Sequence, residues 1–158
     1  MPVANGREPQ ARAASSRIVR PATAIASRSC TDSERSSASG SSSARAAADA
    51  ARERLRALPH ATVECRELPE AFPAGPFELI VCSEVLYYLD DAAFSATITA
   101  IERELAAGGS LLAVHWRPVT ETYPMTGDEV HERLAARFGP AARSERTPEY
   151  ALDRFDVA

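Results

Sequence analysis

A chain of 158 residues is long enough for one domain with a hydrophobic core. A formal net charge of −4 leaves no basic footprint for nucleic acid or for an anionic membrane surface, so a small molecule is the expected partner. Cys30, Cys65 and Cys82 lack the paired spacing of a metal or redox motif, and no apolar run or signal pattern points to a membrane or to export, so a reducing, cytoplasmic setting without a metal is expected.

The composition changes abruptly near residue 45. Residues 1–45 hold 11 Ser, 9 Ala and 7 Arg, with no Leu and no aromatic residue. Such a tract cannot bury enough apolar area to offset the entropy of ordering it, and residues 1–44 are expected to be disordered or non-native. Seven Arg against Glu8, Asp32 and Glu34 give the tract +4 and leave −8 for the rest. That charge admits a nucleic-acid-binding arm, but without interleaved aromatics for stacking, a solvated tail or an out-of-frame reading is the stronger expectation. Likeness to an organellar transit peptide is compositional only. Residues 45–158 are expected to form the folded domain.

From Arg45 onward helical and strand periodicities alternate. Ala48, Ala51, Leu55 and Leu58 recur at helical spacing until Pro59 ends the run. ATVEC (61–65) reads as a short strand, and the segment from Pro69 to Pro76 as a loop. Glu78 to Cys82 is apolar enough for a parallel strand covered on both faces. Asp90 or Asp91 can cap the next helix, where Phe94, Ile98, Ile101 and Leu105 share a stripe that Gly108 and Gly109 close. SLLAVHW (110–116) is a second buried strand. Thr126 and Glu129 have capping-box spacing ahead of Val130, Leu134 and Phe138, and Gly139-Pro140 stops that helix. The polar tail from Arg143 to Val157 predicts one or two antiparallel strands, with a slip of phase at Arg154.

This order of elements is that of an open α/β sheet, whose ligands sit beyond the carboxyl ends of the strands. Three stretches, ARERLRALPHATVECRELPE, GPFELIVCSEVLYYLDD and LAAGGSLLAVHWRPVTETYPMTGDEVHERL, resemble the S-adenosylmethionine-dependent methyltransferases, most of all the nodulation protein S type that methylates a sugar amine. The likeness covers about residues 46–157. It implies a Rossmann-like sheet with antiparallel C-terminal strands, S-adenosylmethionine as cofactor and a small-molecule acceptor. One departure stands out: the family opens with a strand, a Gly-rich turn, a helix and a second strand ending in an acid. Here the Ser/Ala/Arg tract stands in that place, with Gly6 and Gly40 as its only glycines. The sheet is therefore expected to be incomplete, lacking its first strands, and the ATVEC strand either pairs directly with the FELIV strand or leaves its edge open. A non-catalytic remnant that binds no cofactor is the rival expectation; a nicotinamide oxidoreductase is weaker, since it too needs the missing turn.

Carried onto this sequence, the resemblance gives Glu67 and the neighbouring backbone at Leu68 an adenine-side cofactor role, against a plain loop acid. It places Ser83 and Glu84 beside the methionine part of the cofactor and the acceptor. Glu84 ends a buried strand, where an acid has few structural reasons to sit, and is the first candidate for moving a proton. His115 is the second, against a packed strand histidine. Tyr87, Tyr88, Trp116 and Arg117 are candidate acceptor-binding residues. Of the adjacent tyrosines only one is expected to face the crevice, and Arg117 has Glu84 or Glu121 as alternative partners. His60 and His131 read as solvated.

Overall fold

The structure, a computed structural model, describes residues 22–26 and 39–158, with side chains from Arg45 onward. In chain order the elements are β1 (Ala22–Ala26), α1 (Ser39–Leu55), β2 (Ala61–Cys65), β3 (Phe77–Ser83), a 3-10 turn (Leu86–Tyr88), α2 (Asp91–Glu104), β4 (Leu105–Trp116), α3 (Gly127–Phe138), β5 (Arg143–Arg146) and β6 (Tyr150–Asp156). The α/β class holds. Apart from β1 and the first turns of α1, the expectation for residues 1–44 lies outside the described residues.

Two sheets result. β1 pairs parallel with β2, from Ala22 opposite Ala61 to Ala26 opposite Cys65, and α1 connects them in a β-α-β unit. Ala48 is fully buried, and Arg52 Nε donates to the Val63 carbonyl at 3.0 Å, which holds α1 to β2. The ATVEC strand thus pairs with β1 and not with β3, which leaves β3 as an edge strand of the other sheet, the second of the two expected courses. Leu58, expected on the helical stripe, lies beyond the helix and is 43% exposed.

The second sheet has the order β3-β4-β6-β5. β3 and β4 run parallel, with Val81 opposite Leu112 and Cys82 opposite Ala113; β6 and β5 are antiparallel, as the tail predicts. In β6 the inward residues are Ala151, Asp153 and Phe155, in one unbroken alternation. The slip expected at Arg154 is therefore absent, because Asp153 holds an inward position.

α2 and α3 cover one face of this sheet. Ile98, Ile101 and Leu134 pack there with Leu111, Ala113 and Phe155. The opposite face carries Leu79 and Val81, 55% and 54% exposed. β3 is thus not buried on both sides as its composition suggests. α1, which would have to lie across that face to cover it, packs on β1 and β2 instead.

The expected caps start α2 and α3 and Gly139 stops α3, but α1 ends at Leu55, before Pro59, and α2 at Glu104, before Gly108 and Gly109, which lie in β4. Asp90 caps α2 by accepting from the Ala93 amide at 2.8 Å. After Glu104, Leu105 turns out of the helix into extended backbone, and Gly108 adopts φ 73°. That left-handed position suits glycine and lets the β3–β4 ladder resume at Ser110, opposite Leu79. On α3 the capping box is complete: the Glu129 amide donates to Thr126 Oγ1 at 3.2 Å and the Thr126 amide to Glu129 Oε2 at 2.6 Å. Thr126→Ala should lower the unfolding free energy by about 0.5 to 2 kcal/mol, read from the urea midpoint; an unchanged midpoint would show that the box contributes nothing.

No helix among the described residues is long and apolar enough to cross a membrane.

Candidate functional site

The carboxyl ends of β3 and β4 and the 3-10 turn form one wall. Ser83 ends β3 and is exposed. Glu84 follows with φ 55°, a left-handed conformation that a non-glycine residue adopts at a cost. Its amide is tied to the Val114 carbonyl at 2.9 Å, so the strained residue is held by the β4 ladder. The exposed Glu84 carboxylate accepts a short hydrogen bond from the Tyr87 hydroxyl. Burial, and after it the Glu84 hydrogen bond, raise the Tyr87 pKa, so its hydroxyl stays protonated and donating.

Of the two adjacent tyrosines, Tyr87 is 3% exposed and Tyr88 half-buried. Tyr123, which no sequence signal marks, completes the cluster. It stacks on Tyr87 with ring centroids 4.8 Å apart and planes 5° from parallel. Tyr88 meets both rings edge-on, and its hydroxyl lies 3.3 Å from that of Tyr123. Such arrangements favour rigid aromatic walls.

His115 stands behind this wall and not in the crevice. It is fully buried, with Tyr87 edge-on at 5.3 Å. Its Nε2 accepts from the Leu86 amide at 3.3 Å, and its Nδ1 lies 3.2 Å from Nε2 of His131. Burial, reinforced by His131, pulls the His115 pKa down to about 3. The ring is therefore neutral and engaged at both nitrogens, which suits packing and positioning and not proton exchange with an acceptor. His131 corrects its expectation too: it is 2% exposed, and its Nδ1 lies 2.6 Å from Asp153 Oδ2.

Trp116 ends β4, 45% exposed beside the rim. Gly127 lets α3 start against that strand end; a Cβ there would lie 2.2 Å from the Trp116 carbonyl oxygen. Arg117 pairs with neither Glu84 nor Glu121. Its Nε and Nη2 donate to Asp128 at 2.8 and 3.1 Å and its Nη1 to the Thr147 carbonyl at 2.6 Å. The hydrogen bond from Arg117 holds the Asp128 carboxyl below its ordinary pKa. The guanidinium thus latches the β5–β6 turn to α3.

Glu67 and Leu68 follow β2, on the other sheet; Glu67 is exposed and its carbonyl accepts from the Ala71 amide at 2.9 Å. The structure brings Glu84, Tyr87 and Tyr88 into contact directly after Ser83, places Trp116 at the end of β4, and leaves Glu67 and Leu68 in the loop that follows β2. Cys82 is buried, its thiol pushed up to about 12 by desolvation, and Cys65 is exposed. No group of three or more potential metal ligands occurs among the described residues.

No family model and no curated protein matches the chain. Solved structures do. A protein from Pseudomonas syringae assigned to the methyltransferases superposes with a TM-score of 0.61 at 38% identity, over 70% of this chain and 67% of that one. The N-methyltransferase NodS from Bradyrhizobium japonicum WM9 matches at 25% identity and TM-score 0.57, over 71% and 68%; in complex with S-adenosyl-L-homocysteine it matches at 24% and 0.56, over 68% and 59%. A Burkholderia thailandensis 1,6-didemethyltoxoflavin-N1-methyltransferase, with S-adenosylhomocysteine bound, shares the fold at 14% identity and TM-score 0.55, over 69% and 56%. This chain thus spans between 56% and 68% of these proteins. With the expected α/β order, the wall at the strands' carboxyl ends and the Pseudomonas likeness in hand, the chain belongs to the S-adenosylmethionine-dependent methyltransferase family.

Proposed function

We propose that this chain is the acceptor-facing part of a methyltransferase that acts on a small-molecule amine, with a sugar amine as the acceptor class. The observation that carries the reading is Glu84, an exposed carboxylate at the end of β3, oriented by the Tyr87 hydroxyl beside the Tyr88–Tyr123 wall. The likeness to an N-methyltransferase supports the amine.

S-adenosylmethionine supplies an electrophilic methyl group, and also a carboxylate and ribose hydroxyls that need close backbone amides and an acid. Ser83 and Glu84 suit the methyl end of such a molecule. The connection from β1 to α1 does not suit the rest: residues 27–38 read SRSCTDSERSSA, with no glycine to let backbone approach a ligand. The residues present therefore do not fit the whole cofactor; they fit the acceptor. An ammonium must lose a proton before it is a nucleophile. Glu84 is placed to take that proton or to hold the amine in line, while the aromatic wall excludes water and fixes orientation.

The test supplies the missing segment. A chain in which a strand, Gly-rich turn, helix and acid-ended strand of the family pattern precede Arg45 should transfer labelled methyl groups to an amino sugar. Glu84→Gln in that chain should lower turnover more than cofactor affinity. The absence of glycine after β1 favours a second reading, a non-catalytic module; failure of the completed chain to bind cofactor or to methylate any amine would select it.

A further inference from the structure

We propose that His131 and Asp153 are positioning residues: through His115 they fix the amide of Leu86, and with it the Glu84–Tyr87 pair at the crevice rim. Only the last step rests on the methyltransferase reading; the relay itself is a property of the fold.

The direction of every hydrogen bond is set from one end. Arg146 donates to both oxygens of Asp153, at 2.9 and 2.7 Å, so the carboxylate is ionised and accepts only. His131 Nδ1, 2.6 Å away, must then carry its proton toward Asp153 Oδ2. In a neutral imidazole that leaves His131 Nε2 bare, so the 3.2 Å contact is made by a proton on His115 Nδ1. His115 Nε2 is bare in turn, the one state in which it accepts the Leu86 amide at 3.3 Å. Each member is buried: Asp153 and His131 are 2% exposed and His115 0%.

The end of the relay matters because the 3-10 turn has no cap of its own. Val85 precedes it and offers no side-chain hydrogen bond, so the Leu86 amide is an orphan donor that His115 satisfies. Tyr87 is the next residue, packed edge-on to His115 and donating to Glu84. A tautomer change at His115 would turn an N–H toward the Leu86 N–H and push the turn away. Fixing two imidazoles from a buried carboxylate sets the register of the wall without any of the three touching an acceptor.

The experiment uses the full chain, 15N-labelled, at pH 7.5 without cofactor. Long-range proton–nitrogen spectra of the histidine rings should show both His115 and His131 protonated at Nδ1. In His131→Leu, His115 should pass to a mixture with Nε2 protonated, and the Leu86 amide should exchange with solvent about fivefold faster or more, as for the loss of one net hydrogen bond. His131→Gln, whose side-chain oxygen can still accept from His115, should restore the Nδ1–H form and the slow amide. A His115 protonated at Nε2 in the unsubstituted chain overturns the proposal outright, and does so even where His131→Leu does not fold. So does a folded His131→Leu with an unchanged tautomer and an unchanged Leu86 amide. Because neither measurement reads methyl transfer, failure of the amine reading leaves these outcomes intact.

Discussion

Taking the pH from 7 to 4 should destabilise the protein by about 3 kcal/mol through His115 alone, since its pKa is about 3 in the fold and 6.5 in the free side chain. The sign comes from proton uptake. Below pH 6.5 the unfolded chain binds a proton at His115 and the folded chain does not, so unfolding takes up a proton and is favoured as the pH drops. Loss therefore begins near pH 6.5 and continues toward pH 3. His131 adds to it in the same direction: desolvation lowers its pKa, although the bond to Asp153 opposes the shift. Asp153 acts later. Burial pushes its pKa up, but Arg146, Ser144 and His131 outweigh that and hold it at about 2, so its contribution is present above the ordinary value of 3.8 and is lost as the pH falls below it. Urea unfolding at pH 7, 6 and 5 separates the windows, because carboxylates change little there. The dependence should correspond to between one and two protons taken up, and His115→Gln should reduce it by about one. A flat profile from pH 7 to 5 would show that neither imidazole is held neutral.

These same residues mark where the sequence stops being legible. Caps and stops are local chemistry, and Asp90, Thr126 with Glu129, and Gly139 act where their spacing places them. Burial on one face or two is not local. β3 reads as buried on both sides from its composition, yet Leu79 and Val81 are exposed, because coverage depends on which helix arrives from elsewhere in the chain. His131 borders the Val130–Leu134 stripe and looks solvated until a partner is found for it. The signal for that partner was present: Asp153 occupies the inward phase between Ala151 and Phe155, and an acid at such a position demands a buried donor. Reading the acid as outward forced a slip of phase that the ladder does not contain. Tyr123 had no such trace. It lies in the irregular stretch between β4 and α3, and only tertiary packing brings its ring onto Tyr87. Glu84, by contrast, was legible, since a strand that ends in an acid at the rim of an α/β sheet combines two signals that need no distant partner.

The chain as it stands should bind S-adenosylmethionine only at millimolar concentration or above. A methyltransferase meets the cofactor's carboxylate, sulfonium and ribose with a glycine-rich turn and an acid-ended strand, and residues 27–38 contain no glycine at all. The rim that is present, Ser83 with Glu84, can meet the methyl end. Glu67 and Leu68, the adenine-side candidates, come after β2 in the two-stranded sheet, which is hydrogen-bonded to β1 and not to β3. The contacts these two sets could offer leave the carboxylate, sulfonium and ribose without the turn and acid that the family pattern supplies. Each lost polar contact is worth about 0.5 to 3 kcal/mol, so three of them at about 1.4 kcal/mol each weaken a micromolar site by roughly a thousandfold. Isothermal titration of the unaltered chain with S-adenosylmethionine measures this directly. Heat that saturates in the micromolar range would mean that the chain already forms a cofactor cradle without a Gly-rich turn; no saturation below a millimolar, set against binding by the chain completed ahead of Arg45, would locate the deficit in the residues ahead of Arg45.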